Sequence, residues 1–389
     1  MRQIFLDYQS GTPLLPEALE KMKPFFSQSF GNPSSIHRFG LEAREAIAEA
    51  RLKVARMINS ATPEQIIFTG NGAEAVNLAI KGTAYANRRR GNHIVFSAIE
   101  HPAVTSSIEF LVGEGFSATK IPVDRYGFLD PDAVRAALTD QTILLCFHHA
   151  NHDIGTLQPI RDISAVTRDK GIPLFVDAVA SAGWHPIDVE VLGADLLAFS
   201  PHRFYGPKGV GVLYRGRGAR INPIIHGGDQ ENGRRAGTED VPAIIGAGVA
   251  AERAMAEISA RQTHTAGLQR LLWSELEKSI PNISLSGPPL GERRIETNLN
   301  VSFRGLEGEG LMLTLDLQGI AVASGAACTL KSLRLPQTLA EIGLDEELAL
   351  GNLILTLGKD NTAEEMTEAA AVISKTVAKL RSLSPAWPG

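Results

Sequence analysis

Short apolar runs alternate with helical stretches from about Pro16 to Val212, and this alternation limits the possible folds more than any other feature. Ala43, Ile47, Ala50, Val54 and Met57/Ile58 recur at helical spacing and predict one apolar face of an amphipathic helix. Five runs read as strands: 66–68, 94–96, 143–147, 174–176 and 196–199. Helical stretches over 74–86 and 162–170 separate several of them. Strands spaced by helices make a mainly parallel sheet covered on both faces, an α/β architecture. Ligands of such sheets sit beyond the carboxyl ends of the strands. Thr69, Glu100-His101, His149–Asp153, Asp177 and Ser200–Arg203 fall at or just past those ends, so a pocket is expected there.

After Gly248 the texture changes. A helical stretch over 251–279 leads to a strand at 298–303, a helix near 308–318, the small-residue turn Ser324–Cys328 and a last helix over 363–383. The pattern predicts two domains: a large α/β domain over 14–255, and a smaller α+β domain from 1–13 and 256–389. With 38 Lys+Arg against 43 Asp+Glu the net charge is −5, which gives no basic excess for nucleic acid. No apolar stretch approaches the ~18–20 residues of a membrane span, and no secretory signal is read at the N-terminus. Cys146 and Cys328 are the only cysteines, which rules out a disulfide framework and suits a reducing cytoplasm. Cys146, inside an apolar run, is expected to be core.

Seven motifs occur in order: Leu6-Asp7-Tyr8-Gln9-Ser10; the Phe30–His37 segment with Gly31-Asn32-Pro33-Ser34-Ser35; and Ser97–Val104 with Glu100-His101-Pro102. Then come Phe204–Gly211 with Gly206-Pro207-Lys208-Gly209, His226-Gly227-Gly228, Arg234–Glu239 and Ser324-Gly325-Ala326-Ala327-Cys328-Thr329. Together they resemble the cysteine desulfurases of the class V aminotransferase group over nearly the whole chain. The resemblance implies the type I fold of pyridoxal-phosphate (PLP) enzymes and a homodimer. It implies work in sulfur or iron–sulfur metabolism, with a sulfur-acceptor or iron–sulfur scaffold protein as partner. In that family a lysine forms an aldimine with PLP, an aspartate holds the pyridine nitrogen, a histidine stacks on the ring and a loop cysteine carries sulfur as a persulfide. By resemblance Asp177 takes the aspartate role, His101 the stacking role and Cys328 the persulfide role. Ser200, His202 and Thr238 match phosphate-side positions, with Thr238 reaching in from the other subunit.

The sequence departs from the family at this same site. The lysine position is Arg203, whose delocalised guanidinium, with a pKa of about 12.5–13.8, is no substitute for a neutral amine. The phosphate turn reads Thr69-Gly70-Asn71-Gly72-Ala73-Glu74, so a threonine hydroxyl is lost at Ala73, while Gly72 keeps its backbone N–H. His152 replaces an asparagine that contacts the ring hydroxyl, Ala180 a glutamine, and Ile354 the arginine that grips the substrate carboxylate. These changes predict no covalent lysine–PLP linkage and a desulfurase activity lost or altered. The alternatives are an active enzyme holding PLP non-covalently, and a pocket reassigned to another small ligand or a metal.

Two readings of Arg203 stay open: an anion clamp, or a filler that pairs with Asp177. The cost of a buried unpaired charge favours the second. His101, His152, Asp177 and Cys328 are the candidate metal ligands if they converge, although no His-x-x-x-His spacing supports a metal. Cys328 is either a reactive thiol near Lys331 or a cysteine without function. Lys208, in its Gly-Pro-Lys-Gly turn, is expected to point away from the site.

Overall fold

The computed structural model describes residues 3–168, 170–291, 293–325, 335–383 and 387. Twelve strands occur among them: β1 Ile4–Phe5, β2 Ile66–Thr69, β3 His93–Ser97, β4 Ser117–Ile121, β5 Thr142–His148, β6 Leu174–Asp177, β7 Leu196–Phe199, β8 Gly211–Arg215, β9 Ile283–Leu285, β10 Asn298–Phe303, β11 Ile320–Ala321 and β12 Asn352–Thr356. Seven form one sheet in the order β2-β8-β7-β6-β5-β3-β4. Only β8 runs against its neighbours; the β3–β4, β3–β5, β5–β6 and β6–β7 pairs are all parallel. This is the mainly parallel α/β sheet that the apolar runs predict.

Alternate residues of each strand feed two cores, one per face. Val95, Leu145, Phe147, Val176 and Phe199 belong to one; Ile94, Phe96, Leu144, Cys146, Phe175 and Ala198 belong to the other. Cys146 is fully buried, as its apolar run predicts, and burial pushes its thiol well above the usual range. The Arg38–Met57 helix buries Ala43, Ile47, Ala50 and Val54, the face read from its spacing.

Two strands of the seven-stranded sheet are not picked out by the sequence reading. β4 is an edge strand with a mostly exposed Ser-Ala-Thr-Lys-Ile sequence, and β8 is the reversed strand between β2 and β7. A third core surrounds the antiparallel sheet β12-β10-β9 and the Ala363–Leu383 helix. The Val241–Ser279 helix joins the cores: its first half buries Val241, Ile244 and Ala247 against the large sheet, and its second buries Leu268, Leu272 and Leu276 in the third core. No helix among the described residues is long and apolar enough to cross a membrane.

The chain leaves β3 for β4 on one side and then crosses to β5 on the other, so the strand order reverses between β3 and β5. Such a reversal opens a crevice at the carboxyl ends of the strands.

Candidate functional site

A cavity of about 230 Å³ lies at that crevice, and nearly every strand end predicted to face it does so. Gly72 and Ala73 come from the turn after β2, His101 from the turn after β3, and His148 closes β5. Asp177 closes β6, while Ser200, His202 and Arg203 follow β7. His152, Val179 and Ala180 complete the wall that matters here. Lys208 does not line the cavity, in keeping with its turn.

One end is a cup of hydrogen-bonding groups. Asn71 caps the Gly72–Asn87 helix by accepting from the Glu74 N–H, which leaves the first-turn N–H groups of Gly72 and Ala73 at the cavity. A β-carbon on Gly72 would stand 3.2 Å from the Ser200 Cβ, so glycine keeps the cup open. The Ser200 hydroxyl lies 2.8 Å from His202 Nδ1. Burial first, then the Arg203 and Lys208 charges, bring His202 down to about 4, so this imidazole is neutral at pH 7.

His101 caps the Pro102–Gly113 helix, its Nδ1 accepting the Ala103 N–H at 3.0 Å. That bond assigns the ring proton to Nε2. Burial, with help from His152, lowers His101 to about 4. The two rings meet edge to face with centroids 5.0 Å apart. His152 Nε2 also lies 3.5 Å from Asp153 Oδ1.

Asp177 forms the floor. It is buried, its Oδ1 accepts the Val179 N–H at 2.9 Å, and burial raises its carboxyl above the usual range despite the opposing pull of His101. Arg203 corrects the sequence expectation: it forms no ion pair with Asp177 or with any other described carboxylate, and its buried Nε has no hydrogen-bond partner. Asp177 and Asp7 attract it only at longer range, while burial pulls its guanidinium down from its ordinary value. A guanidinium is not deprotonated in proteins, so the charge stays. The Trp184 indole N–H donates to the Arg203 carbonyl at 2.7 Å and fixes the backbone there.

A second chamber of about 30 Å³, room for one or two waters, shares Arg203, His152, Val179 and Ala180 with the cavity and continues to Tyr8, Asn298 and Thr356. Ile354 is buried in β12 and lines neither space. Thr238 is exposed beside Gly70 and Arg235, away from this chain's own cavity. Cys328 and Lys331 lie outside the described residues. Among the described residues no three of His, Cys, Asp and Glu stand close enough to hold a metal ion, so His101, His152 and Asp177 do not form such a group.

Sequence reasoning passed over a buried network behind the floor. His148 Nδ1 meets Glu100 Oε1 at 2.7 Å, and Glu100 Oε1 also accepts the His148 N–H at 3.0 Å. Gln158 donates to His148 Nε2 at 3.0 Å while its own oxygen accepts from the Leu129 N–H. With Gln158 so oriented, the His148 proton sits on Nδ1, toward Glu100. The other Glu100 oxygen is buried without a partner, and its charge adds to the upward push on Asp177. Polar residues ending a buried strand, Glu100 and His148 among them, were the available signal.

The groups present can be tested against PLP. The cup offers helix N–H groups, a hydroxyl and an imidazole to a phosphate; Asp177 offers a carboxyl at the floor; His101 offers a ring. The volume suits one small substituted ring, being below the ~300–1,000 Å³ of drug-sized pockets. Among the described residues no lysine lines it. These described residues fit a small phosphate-bearing ring.

Comparison with known proteins agrees with this architecture. The Aminotransferase class-V model matches residues 4–365. The chain is 46% identical over 384 residues to a cysteine desulfurase IscS of Dictyoglomus turgidum, covering 99% of this chain and 97% of the relative. It is 43% identical over 387 residues to one of Methanosarcina thermophila, covering 100% and 95%. A solved NifS-like protein superposes with a TM-score of 0.91 at 33% identity over 97% of this chain and 100% of the other. A structure described as SspA in complex with cysteine gives 0.80 at 33% identity over 91% and 98%. By these matches, and by the type I fold that they share with it, the chain belongs to the class-V aminotransferase family, among its cysteine desulfurases.

Proposed function

We propose that the protein serves sulfur or iron–sulfur metabolism as a homodimeric member of this family whose cavity holds its ligand without a covalent bond. The usual cysteine desulfurase activity is lost or changed. The observation that carries the reading is Arg203, the cation that lines the cavity where the family places a lysine. A guanidinium spreads its charge over three nitrogens and makes a poor nucleophile at neutral pH. The chain's own groups then bind and orient rather than bond. The cup receives an anion, the His101 ring and its Nε2–H face the ligand, and Asp177 faces it from the floor. In the dimer the exposed Thr238 of one copy supplies the phosphate side of the other. Cys328 would pass sulfur to an acceptor or iron–sulfur scaffold protein.

The test is to incubate the purified protein with PLP, reduce with borohydride, and weigh the intact chain. The expected result is no mass increase in the wild type, release of all colour on desalting, and no cysteine-dependent sulfide. Arg203→Lys should restore a reducible adduct. A stoichiometric adduct on the wild-type chain, or sulfide release from cysteine, would overturn the reading.

A further inference from the structure

Two sets of hydrogen-bond donors line the cavity. The first is the cup of Gly72, Ser200 and His202. The second is Arg203, which also borders the small chamber that the cup residues do not reach. The Arg203 guanidinium has no ion-pair or hydrogen-bond partner among the described residues, and its Nε is buried and orphaned. His101 and His202, both lowered to about 4, are neutral at pH 7 and bring no charge to the cavity. Buried charges are retained where they are paired, and a planar guanidinium pairs best with a carboxylate, two parallel N–H groups facing two oxygens. Among the described residues that pairing group is missing.

We propose that the cavity is built for a doubly anionic ligand, a small phosphorylated ring acid whose phosphate fills the cup and whose carboxylate pairs with Arg203. An aldehyde or alcohol at the Arg203 end offers one neutral oxygen and leaves the charge uncompensated. A carboxylate there satisfies both. Arg203 thus becomes a specificity-determining residue that favours the acid over the aldehyde on the same ring. The inference rests on the non-covalent cavity proposed above.

Calorimetry on the dialysed full-length protein can separate the two. The probes are pyridoxine 5′-phosphate (alcohol), pyridoxal 5′-phosphate (aldehyde) and 4-pyridoxic acid 5′-phosphate (acid), which share ring and phosphate. The acid should bind about 10-fold or more tighter than the alcohol, the scale of one charge-assisted pair. Arg203→Gln should reduce that preference to about 3-fold or less. A matched urea midpoint would show that the variant is folded. Three ligands binding equally, or an acid preference that survives Arg203→Gln, would overturn the carboxylate subsite and leave the non-covalent cavity standing. Covalent capture of the aldehyde, or no binding by any of the three, would overturn both.

Discussion

Arg294 is an arginine set into the interior and Arg203 one at a cavity wall, and their surroundings are opposite. Arg294 is fully buried in the segment between β9 and β10. Its Nε donates to the Pro288 carbonyl at 2.7 Å, one terminal nitrogen to the Asn298 carbonyl and side-chain oxygen at 3.4 and 3.3 Å, and the other to the Ser286 carbonyl. Burial pulls its pKa down to about 9, still charged at neutral pH. The Arg203 guanidinium lines a cavity and donates to nothing among the described residues. Arg294 ties loop carbonyls that would otherwise be buried and unbonded. Arg203 Nε is buried without that return.

The largest effect should come from the tied arginine. Arg294→Met leaves the carbonyls of Ser286 and Pro288 without their donor in a closed interior. We expect a loss of about 3–5 kcal/mol, read as a lower urea midpoint. A change below about 1 kcal/mol would show that the loop finds other partners, and the contrast with Arg203 would fail.

The next effect comes from charge that the interior excludes. His149 is buried below the floor, its Nδ1 2.9 Å from the Ser181 hydroxyl, and its backbone N–H donates to the Asp177 carbonyl. Burial, then the neighbouring His185 and His148, depress it to about 3. A folded value below the unfolded 6.5 means that its stabilising contribution is present above pH 6.5 and is lost as pH falls toward 3. Between pH 7.5 and 5 this one group should remove about 2 kcal/mol from the folding free energy. His149→Asn should flatten that part of the pH profile by the same amount. An unchanged profile would mean that the ring is protonated or hydrated in the folded protein.

How much of this could be read from the chain depends on what each residue faces. β5, β6 and β7 are buried on both sides and carry unbroken apolar runs, so they are legible. β4 is an exposed edge whose polar residues leave no run to see, and the apolar pattern of β8 opens on the glycine-rich 206–211 turn. In the site, Asp177, His101 and Ser200 fall at strand ends and could be placed from order alone. The Glu100–His148–Gln158 network could not, because Gln158 returns to His148 only through the 149–157 turn. Arg203 was visible as a substitution, yet its bonding was not: charge complementarity pointed to Asp177, and the fold holds the two apart. Arg294 belongs to no motif, and nothing in Gly291–Ile295 tells a tied arginine from an exposed one.

The smallest expected change in stability is the one that most sharpens the contrast. Arg203→Met keeps a long unbranched side chain at the cavity wall and removes a charge to which no described residue hydrogen-bonds. Truncating a bonded buried arginine costs stability because its partners are left unpaired, whereas removing an unbonded one relieves desolvation. Without ligand, the variant should therefore be as stable as the wild type, or more stable by up to about 2 kcal/mol, in urea denaturation at pH 7.5. With a saturating acidic ligand present the order should reverse, because the wild type alone gains the binding free energy of the carboxylate pair. A loss of about 2 kcal/mol or more in the ligand-free variant would mean that Arg203 is already bonded in solution. The two arginines would then be alike, and the cavity would have no vacant charge for an acid to meet.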